Sequence, residues 1–103
     1  MNFQLIRRAG AMIRDASPTQ MKEALAELEL RDPEHPEVSL TNESGWTLSA
    51  YPYGLFVWEN AEASDPQHIR NVPRDRVFEF WQRLAAGDHE SIHVERWEPG
   101  YGP

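Results

Sequence analysis

The stretch Gly45-Trp-Thr-Leu-Ser-Ala-Tyr-Pro-Tyr-Gly-Leu-Phe-Val-Trp-Glu-Asn60 constrains the fold more than any other part of the chain. Two runs rich in aromatic and β-branched residues flank Tyr51-Pro52-Tyr53-Gly54, where proline fixes its φ and glycine permits one that other residues avoid. That pattern predicts a β-hairpin whose loop is residues 52–54. Its register pairs Tyr51 with Leu55, Ser49 with Val57 and Leu48 with Trp58. One face then carries Trp46, Leu48, Ala50, Phe56 and Trp58, the expected core side. The other carries Thr47, Ser49, Tyr51, Leu55 and Val57. The second strand is apolar on both faces, as a strand near the centre of a sheet would be.

The rest of the chain supplies partners for this hairpin. Phe3–Arg8 reads as a first strand, Ala9-Gly10 as a turn, and Ala11–Arg14 as a short returning strand. Ser17-Pro18 starts a helix, because serine caps free backbone N–H groups and proline needs no donor at the first helical position. Met21, Ala24, Leu25 and Leu28 form its apolar stripe as far as about Leu30. Two prolines make residues 31–36 a loop. Glu37–Asn42 alternates as a half-buried strand with Val38 and Leu40 inward. Ala61–Gln67 reads as a polar loop, and His68–Asn71 as a short edge strand. A second helix starts near Pro73, carries Val77, Phe80, Trp81 and Leu84 on one stripe, and stops at Ala85-Ala86-Gly87. Ser91–Trp97 alternates around Ile92 and Val94 and reads as a last strand. Residues 98–103 read as an irregular tail. The expected fold is α+β: one domain over residues 1–103, a largely antiparallel sheet of about four to six strands, and two amphipathic helices on one face.

At 103 residues the chain has room for one core. It has no cysteine, which removes disulfides, thiolate metal sites and cysteine nucleophiles. No apolar run approaches the ~20 residues of a membrane span, and the charged N-terminus is unlike a signal peptide. A cytoplasmic protein without a membrane role is expected. The net charge of −7 concentrates in residues 15–65, where eleven acids face two bases. That balance disfavours nucleic acid as a ligand and permits a basic protein partner.

Catalytic patterns are lacking. His89 and His93 are four apart, but on the predicted strand they share a face about 13 Å apart, too far for one metal. His35 and His68 stand alone in polar segments. No serine sits in a Gly-x-Ser-x-Gly turn, and Gly45 and Gly54 are isolated hairpin glycines. No catalytic, cofactor-binding or metal-binding residue is assigned, and no enzyme activity is expected. The aromatic residues are in excess of what a core this small can hold, and Tyr51 and Tyr53 stand at the hairpin tip.

Two stretches carry a resemblance. Asn71-Val-Pro-Arg-Asp-Arg-Val-Phe-Glu-Phe-Trp-Gln-Arg-Leu-Ala-Ala-Gly-Asp88, followed by Trp97-Glu-Pro-Gly-Tyr-Gly102, resembles the C-terminal half of small bacterial immunity proteins. So does Ser44–Ala50 leading into Gly54–Asn60. These proteins accompany polymorphic or contact-dependent toxins. The arginine-rich start and the prolines at 33–36 stand outside the pattern. The resemblance implies a non-enzymatic inhibitor, without cofactor, that occludes the active site of one cognate protein toxin. An acidic surface with aromatic anchors suits a toxin with a basic surface. The partner-binding candidates are Glu23, Glu27, Asp32, Glu34, Tyr51, Tyr53, Trp58, Glu62 and Asp65. Two other classes fit the same sequence: a regulatory or adaptor module, phage-encoded for example, and a small-ligand-binding or hydrolytic domain.

Overall fold

A computed structural model of the chain describes residues 2–8, 10–29, 37–60, 62 and 64–101. The expected loop at 31–36, including His35, lies outside them.

The central hairpin forms in the expected register. Strand β4 (Thr47–Ala50) pairs with β5 (Phe56–Asn60), with Leu48 opposite Trp58 and Ser49 opposite Val57. A single 3-10 turn at Pro52–Gly54 joins them, and the Tyr51 N–H donates to the Leu55 carbonyl at 2.9 Å. β1 (Phe3–Ile6) and β2 (Met12–Arg14) make the N-terminal hairpin, and β3 (Val38–Asn42) lies between β1 and β4. β6 (Ser64–Ile69) and β7 (Glu98–Pro99) extend the sheet beyond β5. Among the described residues the sheet has seven strands in the order β2-β1-β3-β4-β5-β6-β7, every neighbouring pair antiparallel. The seventh strand exceeds the expected four to six, and it comes with a longer β6 from pairings that local pattern does not announce. β6 begins within the segment expected to be a polar loop, and Glu98 and Pro99 of the expected tail pair with His68 and Gln67. Two residues on a sheet edge have no alternation to read, and Pro66 and Pro99 are both tolerated near an edge.

Both long helices cover one face. Helix α1 (Pro18–Ala26) starts on a reciprocal capping box, in which the Ser17 hydroxyl accepts from the Gln20 N–H and the Gln20 side chain accepts from the Ser17 N–H. A 3-10 turn at Glu27–Glu29 follows it. Helix α2 (Arg74–Ala85) buries the expected stripe of Val77, Phe80, Trp81 and Leu84. These side chains meet one row of cross-strand partners, Leu5, Leu40, Leu48 and Trp58, each with no exposed surface. The Trp81 indole N–H donates to the Leu48 carbonyl at 3.1 Å, which satisfies the one polar atom the ring brings into the core.

The expected strand at 91–97 is instead a third helix, α3 (His89–His93). Asp88 accepts from the Ser91 N–H at 3.3 Å and from its hydroxyl at 2.8 Å, so a new helix starts directly after the Gly87 stop. Ile92 is fully buried while Val94, its supposed strand neighbour, is 80% exposed. The Trp97 indole N–H then closes the turn on the Ile92 carbonyl at 2.7 Å. The Ser91 contacts hold the Asp88 carboxyl below its ordinary pKa. A lowered carboxyl pKa stabilises the fold above the unfolded value and loses that contribution as the pH falls. Ser91→Ala should therefore move the Asp88 titration upward, towards the ordinary aspartate range. Carboxyl-resolved NMR titration of both proteins checks this, and an unmoved Asp88 would contradict the cap.

Candidate functional site

The face of the sheet away from the helices follows from the same register. Strand parity that turns Leu40 and Leu48 inward turns Ser39, Thr41, Thr47 and Ser49 outward. Ser39 stands opposite Ser49 and Thr41 opposite Thr47, with the two threonine hydroxyls 2.9 Å apart. Val57 and Glu59 extend these rows onto β5, and Ile6 and Gln4 extend them onto β1. The result is a hydroxyl-floored hollow of about 530 Å³, lined by Ile6, Arg7, Glu37, Ser39, Ser49 and Glu59 among others. Ser39 and Ser49 are only 9% and 6% exposed.

Two tyrosine–glutamate pairs border the hollow. The Tyr101 hydroxyl donates to Glu59 Oε2 at 2.7 Å, which lays the C-terminal segment beside β5. The Tyr51 hydroxyl faces the Glu37 carboxylate, and both Glu37 and Glu59 act on it. Burial first, and then Glu37, push the Tyr51 phenol well above its ordinary pKa; Glu59 raises Tyr101 in the same direction. A raised phenol pKa contributes stability in full below about pH 10, lost as the pH climbs through the folded-state value. Tyr51→Phe should therefore flatten the alkaline loss of stability, and its absorbance titration should lack the highest phenol transition. Unchanged alkaline unfolding would place Tyr51 outside this cluster.

The arginines of the lining are held from the helix side. Arg7 Nε donates to Glu27 Oε1 at 3.0 Å, and the Arg8 guanidinium donates to the Glu27 carbonyl. His68 lies in the Ser49–Val57 row, 5% exposed, with Nδ1 3.0 Å from the Gly100 carbonyl and Nε2 3.6 Å from Glu98. A carbonyl only accepts, so Nδ1 carries the proton and Nε2 faces the Glu98 carboxylate.

The expected partner-binding residues do not gather into one patch. Tyr51 borders the hollow, and Glu27 anchors its arginines. Glu23 is exposed on α1, with Lys22 beside it over the Phe78 ring. Glu62 and Asp65 are exposed at the end of the sheet where Thr47 meets Glu59, whereas Glu27 bonds Arg7 at the opposite end. Asp32, Glu34 and the Tyr53 side chain lie outside the described residues. Trp58 is corrected outright: it has no exposed surface and cannot anchor a partner. It stacks on Trp46 with ring centroids 4.5 Å apart and donates its indole N–H to His93 Nδ1 at 3.2 Å. The apolar parity that makes Trp58 a core residue competes with the aromatic-excess argument for it, and burial wins.

His89 and His93 also differ from expectation, because α3 brings their ring centroids to 6.5 Å. They pack on Trp46, and among the described residues no three His, Asp or Glu side chains converge to hold a metal. Residues of the hollow that sequence reading passed over are Glu37, Ser39, Thr41, Glu59, Arg8 and Tyr101. The available signal was the run of four hydroxyl residues on the non-core parity of β3 and β4.

Compared with protein-family models, curated proteins and solved structures, the chain matches none. No helix of the described residues is long and apolar enough to cross a membrane.

Proposed function

We propose that this chain is a non-enzymatic binding protein whose open sheet face receives a protein partner, and that it serves as an immunity protein. It acts in the cytoplasm of the cell that makes the cognate toxin, and it neutralises that toxin by occluding its active site. One observation carries the binding reading. A sheet packed against helices on one side presents, on the other, a hollow floored by serine and threonine side chains and bordered by two Tyr–Glu pairs. Rigid strands hold these groups in place, so little side-chain entropy is lost on docking. The sequence resemblance to immunity proteins supplies the class of partner.

A second reading, a small polar ligand in the same hollow, is favoured by the same hydroxyls. Co-expression with the product of the adjacent gene separates the two. The immunity reading expects that product alone to arrest growth, and this chain to restore growth through a stoichiometric complex. Growth arrest that persists with this chain present, and no complex on size exclusion, would overturn it.

A further inference from the structure

The hollow is specific in its chemistry. Its floor offers Ser39 and Ser49 oxygens that can accept hydrogen bonds. Glu37 lies beyond Ser39 on β3 and Glu59 beside Thr47 on β5, and both carboxylates line the hollow and act on the Tyr51 hydroxyl. Tyr51 and Tyr101 add ring surface next to each carboxylate. Carboxylates, hydroxyl acceptors and aromatic edges together match a planar cation with several N–H donors. The two arginines in the lining are held from the helix side, Arg7 by the Glu27 carboxylate and Arg8 by the Glu27 carbonyl. The chain's net charge of −7 favours the approach of a cation as well.

From this we infer that the open-face hollow is a receptor for an arginine side chain of the protein partner, its guanidinium held between Glu37 and Glu59 over the Ser39 and Ser49 hydroxyls. The inference rests on the proposal that this face docks a protein, and it names the chemistry of the contact. A charged head inserted there blocks whatever that arginine does in the partner, which turns binding into inhibition. Guanidinium is preferred to ammonium because it spreads its donors over a plane and loses less hydration on burial.

The test uses the full chain and N-acetyl-arginine amide as probe, followed by amide NMR shifts at ionic strength matched with sodium chloride. Saturable shifts at Ser39, Thr41, Thr47 and Ser49 are expected. N-acetyl-glutamine amide should produce none. The double variant Glu37→Gln/Glu59→Gln should bind the probe about tenfold more weakly or not at all. Glu62→Gln/Asp65→Asn should bind it as the parent does. Shifts equal to those of sodium chloride alone, or binding indifferent to the Glu37/Glu59 pair in a folded variant, would overturn the inference. So would a site that takes free guanidinium ion but refuses the capped residue, since that excludes a protein side chain. The proposal beneath it fails separately. A complex with the adjacent gene's product that forms equally well with Glu37→Gln/Glu59→Gln would leave open-face docking standing and remove the arginine.

Discussion

Replacing Trp81 with alanine should lower stability by about 3–5 kcal/mol. The ring is fully buried where α2 meets β4, and its N–H donates to the Leu48 carbonyl. Alanine removes both the apolar contacts and the donor and leaves a cavity against Leu48, in the middle of the sheet. Trp81→Phe keeps most of the packing and loses only the hydrogen bond and some volume, so it should cost about 1–2 kcal/mol. Denaturant unfolding of the three proteins gives both differences. A loss below about 1 kcal/mol for the alanine variant would mean that the helices do not seal this face of the sheet.

The second large effect is expected at the hairpin tip. Gly54 has φ +82°, a conformation that costs other residues about 1–2 kcal/mol. A Cβ there would also stand 3.0 Å from the Asn71 backbone Cα and 3.1 Å from the Val72 nitrogen, whose N–H donates to the Gly54 carbonyl. Backbone cannot step aside as a side-chain tip can. Gly54→Ala should therefore cost about 3 kcal/mol, the strain plus the displaced contact. Gly10 is the control: its φ is +90° but a Cβ would meet nothing within 4 Å. Gly10→Ala should show the strain alone, about 1–2 kcal/mol. Equal losses at the two positions would remove the contact between the hairpin tip and residues 71–72.

What sequence pattern conveys well here is periodicity, and what it conveys poorly is competition. The β4–β5 register and the α1 and α2 stripes follow from alternation and from 3.6-residue spacing, and burial enforces both. α3 was hidden because Ile92 and Val94 imitate a strand over a span too short for period to decide. A single cap, Asp88 on Ser91, tips the choice to helix. β7 was hidden because a two-residue edge strand exists only through its partner. The open face was readable in principle, since the hydroxyl residues lie on the non-core parity of β3 and β4. Its Glu37–Tyr51 and Glu59–Tyr101 groupings depend on long-range pairing and were not. The acids cluster by position along the chain, but the register spreads the described ones to both ends of the sheet.

The proposed docking surface is the sheet face opposite the helices. Amide hydrogen exchange on the complex with the adjacent gene's product tests it most directly, because it reads protection strand by strand. Slowed exchange is expected in β3, β4 and the segment around Tyr101, with the outward faces of α1 and α2 unchanged. Protection confined to α1 and α2, with β3 and β4 exchanging as in the free protein, would contradict it.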